Sequence, residues 1–450
     1  MSINGNLFNQ EIDRKRSTGV LSALPILKSS TFLLAALFFL GNFQHGNAQT
    51  PSDVSITNAK RAGMSSDKLD KIPPAVQSLI DDQQLAGAVV LVARKGQIVF
   101  NGSFGWADIA NQTPMQTETI FRIYSMTKPI TSLAVLILYE RNLLDLDDPV
   151  SRYIPELKNL NVYAGIDPNG ELIVEDMNRG ITIRDLLRHT SGLTYDFLET
   201  SPIGEMYSEQ QVGNSENLAA MVDKLKDIPL ASQPGEKFTY GVSTDVLGLL
   251  VEKVSGISFP AFLEKEIFAP LNMKETAFQL PESTKPRFAK VYDSEGGRII
   301  EAKDPRIVGE FLKQPTMFSG GGGLVSTASD YLKFCEMLRR EGKYRGRRIV
   351  SKKTVNAMTQ NQLPAAAYPI SIIEEQEGVG FGLGVSVVTE ITEFSATAHV
   401  GEYGWDGIAS THFWISPKDD LIVIALSQNM PFSHRLRDVL RPIVYQALAP

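Results

Sequence analysis

The sequence predicts an α/β (α+β) fold in which one antiparallel sheet is assembled from both ends of the chain. Short apolar segments bounded by turn signals occur in two pairs, and each pair indicates a strand hairpin. These predicted strands are residues 87–92, 97–100, 408–415 and 421–427. Helical patterns occupy much of the chain between the two pairs, which indicates a single sheet with a long insertion.

Turn signals and helical patterns set the expected order of the remaining elements. Residues 66–84 indicate a helix before the first hairpin, and residues 434–448 indicate one after the second. We expect a sheet lobe from about residues 60–125 and 316–450, and a mainly helical lobe from about 126–315. Clefts between lobes favour ligand binding, so we expect the site where the two lobes meet. Breaks in periodicity mark three loops as candidate pocket walls: residues 159–180, 196–216 and 281–320.

The first 48 residues indicate a secretory signal peptide. An apolar run at residues 32–43 follows the basic side chains Arg14, Lys15, Arg16 and Lys28, and it precedes the small-residue site Gly46-Asn47-Ala48. We therefore expect cleavage near Ala48, a mature domain of residues 49–450 with no membrane span, and a secreted or periplasmic location. An uncleaved anchor is the alternative, because the leader is unusually long.

Charge and cysteine content exclude several function classes. The formal net charge is −7, and loss of residues 1–48 would make it about −9, which disfavours nucleic acid and anionic membrane surfaces as partners. Cys335 is the only cysteine, so no internal disulfide can form, and its amphipathic surroundings indicate a buried apolar position. The five histidines have no metal-ligand spacing, and no phosphate loop or dinucleotide motif occurs. We expect no metal and no organic cofactor.

Ser125 and Lys128 form a Ser-x-x-Lys motif just before an apolar run. If Ser125 opens a helix, Lys128 lies one turn further on and its amine can reach the serine hydroxyl. That arrangement suits acyl transfer by an activated serine. The motif alone is weak, because Ser65 and Lys68 have the same spacing where a serine more simply caps a helix.

Four ordered segments give the motif its context. The segment from Phe121 to Val150 resembles the active-site helix of serine β-lactamases, penicillin-binding proteins and related esterases, and the others fit the same superfamily in order: 186–193, 240–248 and 404–407. The resemblance covers about residues 60–448, and it is closest in character to the β-lactamase-fold (family VIII) carboxylesterases. It implies a β-lactamase-like fold for residues 49–450.

The resemblance implies a serine mechanism with defined roles. Ser125 would be the nucleophile, and Lys128 with Tyr240 would be the base system; an ordinary half-buried tyrosine is the alternative for Tyr240. The tetrahedral intermediate needs an oxyanion hole, which the backbone N–H groups of Ser125 and Ile408 could supply. The segment that contains His189 and Ser191 is by resemblance a structural turn of this family.

Departures from the family pattern concern the expected substrate pocket, formed by Trp405, Asp406, Gly407 and Val242. Trp405 replaces a cationic lysine, and Val242 replaces an asparagine that holds the amide of β-lactams and peptides. Both changes favour small-molecule esters. Asp406 disfavours acidic substrates, and Gly407 permits a close backbone approach. The alternatives are a weak β-lactamase, a D-amino-acid peptidase, an acyltransferase or a non-catalytic penicillin-binding sensor; the sequence does not fix the oligomeric state.

Overall fold

The computed structural model describes residues 55–309 and 313–448. The predicted leader and its cleavage site near Ala48 lie outside these residues. The described chain is a mixed α/β structure around one large sheet, and helices cover both faces of that sheet.

Within residues 55–309 and 313–448, the large sheet has nine strands and is almost entirely antiparallel. In chain order they are β1 (Ser55–Ile56), β2 (Gly87–Arg94), β3 (Gln97–Asp108), β4 (Thr113–Pro114), β5 (Val379–Phe381), β6 (Ser386–Val388), β7 (Tyr403–Gly407), β8 (Thr411–Ser416) and β9 (Leu421–Ser427). Their spatial order is β1-β3-β2-β9-β8-β7-β6-β5, with β4 paired to β3. Because β2 pairs with β9 from Ala88 to Arg94, the two ends of the chain form one sheet, which confirms the predicted fold class.

The strand predicted at residues 408–415 was misplaced at its start. The segment from Ile408 to Ser410 is a turn between β7 and β8, and Gly407 pairs with Thr411 across it. Ser410 adopts a left-handed conformation, φ 59°, which closes this turn. Apolar composition alone did not separate the turn from the strand, because Ile408 suits either.

In the part of the chain that the structure describes, thirteen α-helices surround the sheet. They are α1 (Ser66–Leu69), α2 (Ile72–Asp81), α3 (Thr127–Glu140), α4 (Ile183–Leu187), α5 (Pro202–Glu209), α6 (Leu218–Leu225), α7 (Ser243–Ser255), α8 (Phe259–Leu263), α9 (Ala269–Leu271), α10 (Pro305–Val308), α11 (Ala328–Arg339), α12 (Lys352–Thr359) and α13 (Arg435–Gln446). A π-helical turn, Glu264–Phe268, joins α8 to α9. The helical patterns predicted on either side of the strand pairs correspond to α1 with α2 and to α13.

Side chains alternate between the two faces of the sheet, and this alternation divides the hydrophobic core into two clusters. In β2, Val89 and Leu91 belong to the larger cluster with α3, α7 and α11, whereas Val90 and Val92 belong to a smaller cluster with α2 and α13. Successive strand residues point to opposite faces, so a continuous apolar strand is buried on both sides. The site lies on the face of the larger cluster, where α3 begins.

Three segments predicted as loops contain regular structure. Residues 159–180 form the ribbon Asn161–Ile166 with Leu172–Asp176, and residues 281–320 contain the ribbon Tyr292–Glu295 with Arg298–Glu301. The helix α5 lies within 196–216. Glycines at positive φ, Gly170 and Gly296 among them, close the two ribbons. The remaining two-stranded pairs are Phe121–Arg122 with Val325–Ser326, Lys343–Tyr344 with Arg347–Arg348, and Ile370–Ser371 with Glu375–Gln376.

Within residues 55–309 and 313–448, no single helix has the length and apolar composition of a membrane span. A pair formed by Ser243–Ser255 and Phe259–Leu271 passes that test only together, and it is bent by 79°. Its apolar side chains, from Val246 to Leu271, lie in the larger core cluster.

Candidate active site

Ser125 lies in a short 3-10 turn, Tyr124–Met126, that leads directly into α3. Ser125 is half-buried, and Tyr124 before it has a left-handed φ of 41°. The backbone here approaches β7 closely, because a Cβ added at Gly407 would lie 2.6 Å from the carbonyl oxygen of Ile123. The glycine therefore lets the end of β7 pack against the turn that carries Ser125.

Lys128 occupies the first turn of α3, and its side chain is only 1% exposed. Its Nζ lies 3.2 Å from Ser125 Oγ, 3.1 Å from Tyr195 Oη and 2.8 Å from the carbonyl oxygen of Gly321. These three partners match the three donors of an ammonium group. The amine is thus held beside the serine hydroxyl in a site that excludes most solvent.

Tyr240 contacts Lys128 through its ring. The Lys128 Nζ lies 4.6 Å from the centre of the Tyr240 ring, and the Tyr240 hydroxyl accepts a hydrogen bond from Trp405 Nε1 at 3.3 Å. A lysine above an aromatic face is a favourable cation–π arrangement. Among the described residues, the phenol hydrogen-bonded to Lys128 is that of Tyr195, whereas Tyr240, the expected partner of Lys128 in the base system, contacts it through the ring only.

Tyr195 is a site residue that the sequence analysis did not identify, as is Gly321. Tyr195 lies two residues beyond the 186–193 segment, and its ring meets that of Tyr240 at 5.7 Å in an edge-on arrangement. Burial raises the pKa of Tyr195 well above its usual range, and the nearby Asp245 carboxylate raises it further. The phenol is therefore neutral near pH 7. The closeness of Tyr195 to the 186–193 segment was the signal available in the sequence. The direction in which its side chain points depends on the fold of the turn before it.

Aromatic rings form one wall of the site. Trp405 is 7% exposed and lies 5.5 Å from Tyr240, with Phe381 edge-on to it at 5.0 Å. Phe197 is 50% exposed and stacks on Tyr195 at 5.0 Å, which places an open aromatic surface at the rim. This wall is apolar, in keeping with the predicted effect of a tryptophan at position 405.

His189 and Ser191 lie behind the tyrosines. The ring of His189 packs 4.8 Å from Tyr240, and its Nε2 lies 3.4 Å from Thr244 Oγ1. Burial lowers the pKa of His189 well below its usual value, and the charge of Lys128 adds to this effect, so the ring is neutral. Ser191 Oγ lies 2.8 Å from Ser243 Oγ. These contacts support the turn and bring neither side chain to Ser125.

Asp406 does not face the predicted pocket. Side chains alternate along β7, so Trp405 points to the tyrosines while Asp406 points to the opposite face. There Asp406 lies 2.8 Å from His412 Nδ1 and 3.5 Å from both His434 Nε2 and Arg437 Nη1. Burial raises the pKa of Asp406, but its interactions with His412, His434 and Arg437 outweigh burial and hold that pKa well below its usual range. The position of Asp406 therefore gives no support to the expectation that it lines the pocket and disfavours acidic substrates.

Val242 also differs from its predicted place. It is 3% exposed at the start of α7, and its side chain belongs to the larger core cluster beneath the site. Its backbone N–H donates to the carbonyl oxygen of Thr194 at 3.3 Å. Of the four predicted pocket residues, Trp405 and Gly407 lie at the site, and Ile408 follows Gly407 in the turn, half-buried.

No group of three or more His, Cys, Asp or Glu residues suited to a metal ion occurs in the part of the chain that the structure describes.

The beta-lactamase family model matches residues 72–445 of the chain, and the chain belongs to that family. Protein Rv1367c of Mycobacterium tuberculosis (strain ATCC 25618 / H37Rv) is 32% identical over 372 residues, which cover 81% of this chain and 90% of that protein. Esterase EstB of Burkholderia gladioli is 28% identical over 386 residues, which cover 80% of this chain and 91% of EstB.

The structure is similar to that of EstCE1, described as a hydrolase with promiscuous acyltransferase activity. The TM-score is 0.71 at 27% sequence identity, and the match covers 84% of this chain and 98% of EstCE1. The family and fold expected from the four sequence segments are thus confirmed.

Proposed function

We propose that this protein is a serine hydrolase that cleaves carboxylic esters of small molecules through an acyl-enzyme on Ser125. The observation that carries the proposal is the distance of 3.2 Å between Lys128 Nζ and Ser125 Oγ inside a nearly buried site. A serine hydroxyl becomes an effective nucleophile only when an adjacent group accepts its proton. The esterase EstB and the hydrolase EstCE1 among the relatives support the same reaction class.

The proposed reaction has two halves. Ser125 Oγ attacks the ester carbonyl carbon and gives its proton to the base system, and the alcohol then departs with a proton as the acyl-enzyme forms. Water attacks that acyl ester, gives up a proton in turn, and releases the carboxylic acid and Ser125. Lys128 accepts the proton if its amine is neutral, or it stays charged and stabilises a tyrosinate at Tyr195 or Tyr240. Backbone N–H groups of Ser125 and Ile408 would bind the oxyanion.

Covalent labelling tests the nucleophile. We expect a fluorophosphonate probe to modify Ser125, because the probe traps an activated serine, and we expect Ser125→Ala to lose labelling and chromogenic-ester turnover. The matched control is Ser65→Ala, which removes the serine of the other Ser-x-x-Lys sequence and should keep both. Peptide mass mapping that placed the adduct on Ser65 or Ser191 would refute the assignment.

Acyl transfer to an alcohol is the second candidate, favoured by the apolar aromatic wall and by the activity named for EstCE1. A dry, apolar site would let an organic alcohol compete with water for the acyl-enzyme. Adding an alcohol acceptor to an ester assay should then yield a new ester. Free acid as the only product at every acceptor concentration would leave hydrolysis as the sole reaction.

We also propose a secreted or periplasmic location, supported by the charged and apolar segments of the first 48 residues. Mass analysis of the N terminus of the native protein tests it. A mature chain beginning near residue 49 is the expected result, whereas an intact leader would favour an anchor.

A further inference from the structure

Asp245 is a buried carboxylate for which the proposed reaction has no role. It lies in the first turn of α7 and is only 4% exposed. Its Oδ1 accepts hydrogen bonds from Ser319 Oγ at 2.5 Å and from the Gly321 N–H at 3.0 Å. A buried carboxylate is costly unless it is bonded and its charge is balanced, so the identity of its counter-charge matters.

Gly321 links this carboxylate to the base system. Its N–H donates to Asp245, and its carbonyl oxygen accepts from Lys128 Nζ at 2.8 Å. A Cβ added at Gly321 would lie 2.6 Å from Asp245 Oδ2 and 2.9 Å from Tyr195 Oη. Asp245 Oδ2 and the hydroxyl of Tyr195 therefore both lie next to Gly321, where a side chain would collide with them.

Ser319 anchors the other side of the loop. Its Oγ donates to Asp245 and accepts from the Gly322 N–H at 3.1 Å. Asp245 thus holds the backbone of the 319–322 loop at two points, and the loop presents one carbonyl oxygen to Lys128. Movement of this carboxylate would displace an acceptor of the lysine.

Few charged groups act on Asp245, Lys128 and Tyr195. Lys128 is the cation that acts on Asp245, and the titratable groups acting on Lys128 or Tyr195 are Asp245, Tyr240, His189 and Asp196. Burial holds the pKa of Asp245 above its usual value, because it outweighs the Ser319 hydrogen bond and the Lys128 charge, which both lower that pKa. In a site of low dielectric, such a pair interacts more strongly than the same charges in water.

We propose that Asp245 is a positioning residue of the ester-cleaving site: it holds the 319–322 loop against Lys128 and supplies the counter-charge of that lysine. This inference rests on the proposed function. A negative charge beside Tyr195 favours the protonated phenol, so it raises the pH at which a tyrosinate there can accept a proton from Ser125. Asp245 therefore sets the pH range of the reaction as well as its geometry.

The test measures the pH profile of kcat/KM with a chromogenic aryl ester. Asp245→Asn removes the charge at nearly constant volume, so the ascending limb should move to lower pH by about one unit while kcat falls about tenfold or more. Ser319→Ala keeps the charge but loosens the loop, so kcat should fall several-fold with KM within about twofold of the parent value.

The matched control is Asp330→Asn, which removes another buried carboxylate paired with a lysine, Lys333 at 2.7 Å, outside this site. The ascending limb of the Asp330→Asn pH profile should lie at the same pH as that of the parent protein. If the ascending limb of the Asp245→Asn pH profile stays at the pH of the parent protein, the counter-charge role is overturned, even if kcat falls. If Asp245→Asn does not fold, an unchanged kcat in Ser319→Ala would overturn the proposal. An inactive parent would instead refute the proposed function.

Discussion

At the scale of single residues, the site is organised around the Nζ of Lys128. Two tyrosines approach it differently: Tyr195 through its hydroxyl at 3.1 Å, and Tyr240 through its ring at 4.6 Å. A hydrogen bond changes the proton affinity of an amine more directly than a ring does, so the two residues are open to separate tests. Both surround a lysine that has almost no contact with solvent.

Lys128, Tyr195 and Tyr240 should behave as one unit. We expect Lys128→Ala to lower kcat about 10²-fold or more and each tyrosine-to-phenylalanine variant about tenfold or more. Variants that combine Lys128→Ala with either tyrosine change should lose little beyond Lys128→Ala alone, because groups that act together are non-additive. Steady-state kinetics with an aryl ester measures this.

The control for these variants is Tyr153→Phe, whose hydroxyl bonds Asp148 at 2.6 Å and takes no part in the site. It should keep the parent rate. A tyrosine variant at 195 or 240 that also keeps the parent rate would remove that residue from the base system, and strict additivity would show that the groups act independently.

At the scale of elements, the short helix α4 fixes the turn from which Tyr195 follows. Asp185 of α4 completes a capping box with Thr182, and its carboxylate also bonds Arg179, Arg188 and Thr190. A helix of five residues has little stability of its own, so these bonds hold it in place. The chain can then turn and enter the site in a defined direction.

Acid should weaken this element. Burial raises the pKa of Asp185, but the bonds from Arg179 and Thr182 outweigh burial and lower it from 3.8 to about 2. A carboxyl with a depressed pKa stabilises the fold above its unfolded pKa, and that contribution, about 2 kcal/mol here, is lost as pH falls through the folded pKa. We expect Asp185→Asn to unfold at lower denaturant concentration at pH 7, with the deficit shrinking between about pH 4 and pH 2.

Denaturant unfolding at several pH values measures the effect. The control is Asp147→Asn, which breaks the exposed pair with Arg184 and should cost less than about 1 kcal/mol. A deficit of Asp185→Asn that stayed constant down to pH 2 would show that its carboxylate charge contributes nothing to folding.

At the scale of the whole molecule, the site exists because distant parts of one chain meet. Ser125 follows the N-terminal strands, Trp405 lies on a C-terminal strand, and Gly321 comes from a loop between them. The pairing of β2 with β9 fixes the two ends in one sheet and so fixes the wall opposite the nucleophile.

This wall should determine substrate preference. Trp405 offers an apolar surface where a cation would bind a carboxylate, and Asp406 is turned away to the face where it contacts His412 and Arg437. We expect short-chain aryl esters to exceed β-lactams in kcat/KM by about 10² or more. Parallel assays with a butyrate ester and a chromogenic cephalosporin, each corrected with Ser125→Ala, measure the ratio. Equal efficiencies would place the protein with the β-lactam-hydrolysing members of the family.

The sequence by itself determined the family, the antiparallel sheet from both chain ends, and the neighbourhood of Ser125 with Lys128. These follow from local rules: a spacing of three residues within one helical turn, and alternating or continuous apolar runs bounded by turns. Only the tertiary structure decided which groups complete the site. Tyr195 and Gly321 reach Lys128, and Val242 falls into the core, because those contacts depend on how separate segments pack. Asp406 shows the limit of prediction from sequence. Neighbouring residues of a strand point to opposite faces of the sheet, so a carboxylate one position after Trp405 lies on the face away from the pocket.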